Sequence, residues 1–222
     1  GKTYLAERLQ RLLGGSVAVP YAILVHGEVI RVFDAHWHHP VDAPPSVPPT
    51  ALDNRARPDA RWLMCERPVV VSGGELTLEM LDLSFDARAG YYEAPPHFKA
   101  NNGLFIVDDL GRQVITPRNL MNRWIVPMER RHDYLMLRNG AKFQIPFDLV
   151  LVFSTNLRPA QLDDAAFLRR LGHKIEVRAF DEPIYRQVFE RACAEEGVGF
   201  DEHAYRGLLA DYHQRQQRPL LA

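Results

Sequence analysis

Two unbroken apolar runs of strand length, residues 104–107 and 149–153, constrain this chain more than any other feature. A strand that is apolar on both faces is typical of the centre of a parallel sheet covered by helices on both sides. We therefore predict an α/β protein. Polar residues follow each run directly, and in open α/β sheets ligands bind beyond the carboxyl ends of the strands. The residues after both runs are therefore candidate site residues.

Composition excludes several classes of protein. The chain has 222 residues and 46% hydrophobic residues, which is too apolar for a disordered protein. Its 27 Lys+Arg and 28 Asp+Glu give a net charge of −1, so no general attraction to nucleic acid or membrane is expected. Cys65 and Cys193 form no disulfide framework, which favours a reducing cytoplasm. No apolar run approaches the roughly 20 residues that cross a bilayer, so no membrane span is expected.

Local patterns predict the other elements. Apolar residues at helical spacing predict a helix that begins directly after Gly1 and ends at Gly14-Gly15. Two hairpins are predicted from strand-forming runs beside a glycine-containing turn: 21–25 with 29–33 around His26-Gly27, and 134–145 around Asn139-Gly140. The remaining predictions are a strand at 67–71, a surface loop at 40–58, helices at 118–129 (interrupted or ended near Pro127) and 164–171, and a small helical region from Pro183.

Gly1-Lys2-Thr3, at the mouth of the first helix, has the form of the end of a phosphate-binding loop, G-x-x-x-x-G-K-[ST]. In such a loop the lysine neutralises β- and γ-phosphate charge and the threonine hydroxyl binds magnesium. The tripeptide is also common by chance, and the first part of the motif is absent. We therefore expect this sequence to be a fragment of a longer chain.

Asp108 and Asp109 follow the first apolar run, and Asn156 follows the second. A magnesium–nucleotide site needs such an acidic pair opposite the phosphate loop. Asp108 would hold magnesium, directly or through water, and Asp109 would orient the attacking water. The amide of Asn156 both donates and accepts, so it could bridge that water and the γ-phosphate. Each of these residues alone is also ordinary turn or cap chemistry.

The predicted helix at 164–171 ends in Arg169 and Arg170. Cations are favoured at a helix C-terminus in any protein, so the pair alone has little functional meaning. Its position in the chain, after the other three motifs, is what favours a functional role.

Taken in order, these four groups resemble the AAA+ ATPase superfamily of P-loop NTPases. They are similar to its Walker A residues, Walker B acidic pair, sensor 1 and arginine finger. The resemblance implies a P-loop parallel sheet flanked by helices, and Mg²⁺-dependent hydrolysis of ATP by a ring, usually hexameric, that acts on a client. It also implies that Arg170, or alternatively Arg169, reaches the nucleotide of a neighbouring subunit.

The resemblance divides the chain into a nucleotide-binding domain at 1–180 and the start of a helical lid at 181–222. Within the first domain, 17–100 would contain a hairpin and loop insertion suited to client or partner specificity. The hairpin around Asn139-Gly140 looks like that of the clade containing magnesium-chelatase-like and enhancer-binding ATPases. Arg218 is a poor match for the family's sensor 2.

Asp109 departs from the family, which usually has glutamate there. Its carboxylate is shorter by one carbon–carbon bond, about 1.5 Å, so a non-hydrolysing, ATP-controlled interaction module is an alternative. A P-loop kinase is a weaker alternative, and the absence of Asn-Lys-x-Asp disfavours a GTPase.

Three other clusters have simple structural explanations. The histidines near Trp37 (His36, His38 and His39) have no cysteine or carboxylate at ligand spacing, which favours a solvated loop over a metal site. A basic strip, Arg123 with 130–132, could contact a phosphate backbone, but helices in a ring interface or plain solvent exposure explain it more simply. Tyr91-Tyr92 are expected to pack at the base of a loop.

Overall fold

The computed structural model describes residues 2–41, 59–158, 162 and 165–220. They divide into two compact units, Thr3–Gly172, and His173–Ala222 with residues 1–2. Most of the predicted loop at 40–58 lies outside the described residues.

Strands of the first unit form a mixed architecture of parallel and antiparallel sheets. The strands are β1 (Ser16–Pro20), β2 (Ala22–Val25), β3 (Glu28–Arg31), β4 (Trp62–Glu66), β5 (Val69–Ser72), β6 (Ser84–Asp86), β7 (Tyr91–Glu93), β8 (Leu104–Val107), β9 (His132–Met136), β10 (Lys142–Pro146) and β11 (Val150–Phe153). They form sheets with the strand orders β1-β4, β10-β9, β11-β8-β5 and β2-β3-β7-β6.

Helices flank these sheets and make up the second unit. They are α1 (Lys2–Arg8), α2 (Gln10–Leu13), α3 (Pro96–Lys99), α4 (Pro117–Arg130), α5 (Ala165–Arg170), α6 (Glu182–Glu195) and α7 (Glu202–Gly207), with a 3₁₀ turn at Glu79–Leu81 and a π-helix at Leu208–Gln214. The α/β class predicted from the sequence is confirmed at this level.

β8 is the middle strand of the three-stranded parallel sheet. All four of its side chains are completely buried. Phe105 and Val107 belong to the core cluster that includes Trp124 of α4, whereas Leu104 and Ile106 pack with Ala6 of α1. The prediction of a central strand covered on both faces is therefore confirmed for β8.

The same prediction is wrong for β11 in this sheet. In the described part of the chain β11 is an edge strand, and Val150 is 44% exposed. Its apolar run still serves the core, because Phe153 packs against Trp124 with ring centroids 6.1 Å apart.

Both hairpins are confirmed. His26 and Gly27, with φ of 51° and 83°, make the turn between β2 and β3, and Gly140, with φ of 85°, lies in the turn between β9 and β10. Glycine reaches these angles at little cost, which fixes the position of the turn. The sequence did not predict that β3 would also pair in parallel with β7, or that β1 would pair with β4.

α4 continues through Pro127, so the predicted interruption of this helix is wrong. Thr116 caps its start by accepting a hydrogen bond from the Asn119 N–H at 3.3 Å. Pro127 removes one N–H near the end of the helix, but its ring is buried and Met128 packs against the same core. Burial of the last turn therefore outweighs the missing hydrogen bond.

The second unit is the small helical region that the sequence predicts. Asp181 caps α6 by accepting from the Ile184 N–H at 3.2 Å. Its core contains Tyr185, Tyr205 and Leu209. Tyr205 and Leu209 are four positions apart, at helical spacing, whereas Tyr185 comes from the preceding helix α6.

A buried polar network connects α3, α4 and β9. Arg123 donates to both carboxylate oxygens of Asp133 at 2.6 and 2.7 Å, and His97 Nε2 lies 3.0 Å from the same carboxylate. His97 is fully buried, and its Nδ1 has no hydrogen-bond partner among the described residues. Protonation would place a second buried N–H donor at Nδ1, where it has no acceptor. Burial therefore lowers the pKa of His97, although the Asp133 carboxylate lies nearby. Burial raises the pKa of Asp133, but hydrogen bonds from His97 and Arg123 outweigh it and lower that pKa to about 2.

We expect the first unit to lose stability as pH falls below about 6.5, because unfolded His97 takes up a proton that folded His97 does not. From pH 7 to 5.5 this group contributes a loss of about 1 kcal/mol; Asp133 contributes in the same direction only between pH 3.8 and about 2. Urea unfolding can be followed by tryptophan fluorescence, since Trp37, Trp62 and Trp124 all lie in this unit. His97→Gln should flatten the pH dependence, whereas the exposed control His36→Gln should not; equal slopes for H97Q and wild type would contradict the assignment.

Gly103 lies where the chain enters β8, between two neighbouring strands. A Cβ at this position would be 2.1 Å from the Pro68 carbonyl oxygen, which is backbone and cannot move aside without disturbing β5. We expect Gly103→Ala to lower the free energy of unfolding by about 2–3 kcal/mol. Gly172→Ala, which meets no atom within 4 Å, should change it by only a few tenths of a kcal/mol. Denaturant midpoints measure both, and equal midpoints would show that the entry to β8 is not tightly packed.

Candidate functional site

The carboxyl ends of β5, β8 and β11 lie at the same level. The register pairs Val107 of β8 with both Ser72 and Phe153. Beyond the strands, the Asp108 N–H donates to the Ser72 carbonyl at 2.9 Å, and the Ser154 N–H donates to the Val107 carbonyl at 2.9 Å. The three segments that follow the strands therefore begin side by side at one edge of the sheet.

Asp108 and Asp109 are placed at this edge by the buried strand before them. Both residues are half-buried, and the Asp109 side chain is 45% exposed. Asp109 has φ of 50°, in the left-handed region that non-glycine residues seldom adopt. The chain therefore turns sharply directly after β8. The turn continues through Gly111, with φ of 105°.

Asn156 lies close to Asp109. Its Nδ2 is 3.5 Å from Asp109 Oδ1, which is long for a hydrogen bond. The Arg112 guanidinium is also near, 3.9 Å from the other carboxylate oxygen. Of the residues that the sequence selects, Asp109 and Asn156 are thus a pair that the structure brings together, with a partly exposed carboxylate between two donors.

Lys2 is the first residue of α1, and it is partly buried. Further along α1, Ala6 packs on Leu104 and Ile106, so this helix lies against one face of the parallel sheet. Gly1 and the side chain of Thr3 lie outside the described residues. The phosphate and magnesium roles of residues 1–3 remain predictions.

Arg170 and Arg169 end α5, as the sequence predicts. Arg170 Nη2 donates to Glu129 Oε1 of α4 at 3.2 Å, and the two side chains are 27% and 59% exposed. Arg169 is exposed. In this state, Arg170 therefore contacts a carboxylate of its own chain.

Two further residues organise this edge of the sheet and were missed by sequence reasoning. The Gln113 side chain accepts from the Gly111 N–H at 2.8 Å and donates to the Asp108 carbonyl at 2.6 Å. The Thr155 hydroxyl donates to the Leu110 carbonyl at 2.7 Å. A polar residue in a turn is ordinary in any sequence, so no pattern signalled Gln113. A threonine after a strand is equally ordinary, so no pattern signalled Thr155 either.

The secondary candidates have structural roles. His38 is buried, accepts from the Asp34 N–H at 2.9 Å, and has its Nε2 2.9 Å from the Lys99 carbonyl. Burial lowers the pKa of His38. Arg123, from the predicted basic strip, is paired with Asp133, so its interpretation as a nucleic-acid contact is not supported by this geometry. Tyr92 is buried in β7.

The described residues contain neither a metal-binding cluster nor a membrane-spanning helix. Among them there is no group of three or more His, Cys, Asp or Glu side chains that could hold a metal ion. None of the described helices has the length and apolar character required to cross a membrane.

Comparison with known proteins gives three findings. Residues 181–222 match a family model described as a domain of unknown function (DUF8689). No curated protein matches the chain. Two crystal structures of NtrX from Brucella abortus, one in complex with ADP, are similar to the chain with a TM-score of 0.42 and 17% identity. The similarity covers 58% and 59% of this chain but 31% of each NtrX chain, so the chain spans about a third of the length of those proteins.

Proposed function

We propose that the protein binds ATP with Mg²⁺ and hydrolyses it as an ATPase of the AAA+ type. The observation that carries the proposal is the edge of the parallel sheet. Asp108 and Asp109 leave the fully buried β8 there, and Asn156 leaves the neighbouring parallel strand 3.5 Å from Asp109. An acidic pair and an amide at the carboxyl ends of adjacent parallel strands can bind a metal–nucleotide and orient water.

The chemistry of these side chains fits magnesium and phosphate. Mg²⁺ prefers oxygen ligands; Asp108 would supply a carboxylate and Thr3 a hydroxyl. Lys2 would neutralise phosphate charge. Asp109 would accept a hydrogen bond from the attacking water, and Asn156 would hold that water through its amide. Bound Mg²⁺ would stabilise the charge that develops on the phosphate oxygens.

The assembly proposed with this activity is a cytoplasmic ring of identical subunits. Arg170 would reach the γ-phosphate held by the neighbouring subunit and stabilise charge in the transition state. Residues 1–180 would be the nucleotide-binding domain and 181–222 the start of a lid. The client is unknown, and the sheets built from 17–100 are the surface we assign to it.

An ATP-controlled switch without hydrolysis is the second candidate. It is favoured by the contacts of Asp109, whose carboxylate lies 3.5 Å from the Asn156 amide and 3.9 Å from the Arg112 guanidinium. A carboxylate that is shorter than that of glutamate by one carbon–carbon bond, about 1.5 Å, and that faces two donors of its own chain reaches an attacking water less readily. In this case the protein would bind ATP tightly and release no phosphate.

We expect Lys2→Ala in the full-length protein to abolish ATP binding, and Asp109→Asn to retain binding but lower turnover by about 100-fold or more. Calorimetry with ATP·Mg²⁺ and a phosphate-release assay separate the two effects. Lys142→Ala, at an exposed position of the hairpin strand β10, is the matched control and should change neither. Unchanged ATP binding and turnover in both site variants would contradict the ATPase assignment. Tight ATP binding by the wild type without any phosphate release would favour the switch.

For Arg170, we expect activity to return when two inactive variants are mixed. Arg170→Ala lacks the arginine and Asp109→Asn lacks the carboxylate, so a mixed interface can combine an intact site with an intact arginine. The phosphate-release rate of a 1:1 mixture should exceed that of either variant alone. Assembly is checked by light scattering. No gain in an assembled mixture would count against a role in trans, and a gain obtained only with Arg169→Ala in place of Arg170→Ala would move the role to Arg169.

A further inference from the structure

We propose that Gln113 and Thr155 are positioning residues that together set the distance between Asp109 and Asn156. This inference rests on the proposed function, because it concerns the geometry of the same site. Neither side chain is assigned a contact with nucleotide. Each acts through the backbone of the turn that follows β8.

Gln113 closes this turn from one side. Its amide oxygen accepts from the Gly111 N–H at 2.8 Å, and its amide nitrogen donates to the Asp108 carbonyl at 2.6 Å. One side chain thus bridges backbone groups on both sides of Asp109. The turn needs such support, because a non-glycine residue with φ near 50° costs about 1 kcal/mol or more.

Thr155 joins this turn to the segment after β11. Its hydroxyl donates to the Leu110 carbonyl at 2.7 Å and accepts from the Leu157 N–H at 3.0 Å. The Leu110 N–H donates to the Ser154 carbonyl at 2.8 Å. Both backbone groups of the buried Leu110 are therefore bonded to the neighbouring segment.

The consequence is a rigid spacing between two functional side chains. Asp109 directly precedes Leu110, and Asn156 directly follows Thr155. The hydrogen bonds made by Leu110 and Thr155 therefore lie one residue away from Asp109 and Asn156, respectively. Gly111 adds a close approach, since a Cβ there would be 2.6 Å from Leu157 Cδ1. A shift of either segment would change the distance between the Asp109 carboxylate and the Asn156 amide, now 3.5 Å.

The test compares variants of the threonine in the full-length protein. Thr155→Val keeps the shape but removes both hydroxyl hydrogen bonds, and we expect kcat to fall about tenfold or more, with KM for ATP·Mg²⁺ little changed. Thr155→Ser keeps the hydroxyl and should restore most of kcat. The control Thr116→Val removes the cap of α4 and costs about 1 kcal/mol of stability, but should leave kcat as in wild type. Loss of kcat in Thr116→Val as well would assign the effect to stability and overturn the proposal.

Gln113→Ala should behave like Thr155→Val, with the exposed Gln144→Ala as its control. In an Asp109→Asn background, Thr155→Val should cause no further loss, because its effect is transmitted through Asp109; additive losses would overturn the proposal. The wild type could be active and lose turnover in Asp109→Asn, while Thr155→Val leaves kcat unchanged. That result would contradict the positioning role but leave the proposed ATPase activity standing. A wild type without turnover would remove the proposed function and this role with it.

Discussion

Burial of β8 on both faces is the constraint on which the first unit depends. Its four residues have no exposed surface, and neighbouring strands pair with it on both sides. Phe105 faces the core shared with α4, and Leu104 faces α1. Each such side chain contributes roughly 1.5–3 kcal/mol when it leaves water. A polar residue in this strand would have no hydrogen-bonding partner, so the polar residues can begin only where the strand ends.

This constraint also explains where the candidate site lies. Because Ser72, Val107 and Phe153 are in register, the segments that follow the three strands start at one level. The side chains there need no long loop to meet. Asp109 is two residues past the end of β8 and Asn156 is three residues past the end of β11. Such short connections to a packed core leave the two side chains little freedom of movement.

Sequence reasoning succeeded where the signal was local. The apolar run of β8, the Asn139-Gly140 turn and the helical region from Pro183 each depend on neighbouring residues. The pairing of β1 with β4 joins residues 42–50 positions apart in the chain, such as Ser16 with Glu66, and no periodicity reveals it. The continuation of α4 past Pro127 depends on burial of the last turn, a tertiary effect. The hydrogen bonds of Gln113 likewise exist only because the turn brings Gly111 and Asp108 to its side chain.

α4 connects the core to two charged contacts of very different strength. Trp124 fixes the helix against β8, and Arg123 binds both oxygens of the buried Asp133 in the hairpin. Removing one partner of a buried pair is costly, so the hairpin is held firmly to α4. In the ion pair of Glu129 with Arg170 the carboxylate side chain is 59% exposed, so this pair is weaker than the buried one. If Arg170 acts on a neighbouring nucleotide, it has to release Glu129, whereas the hairpin has to move together with α4.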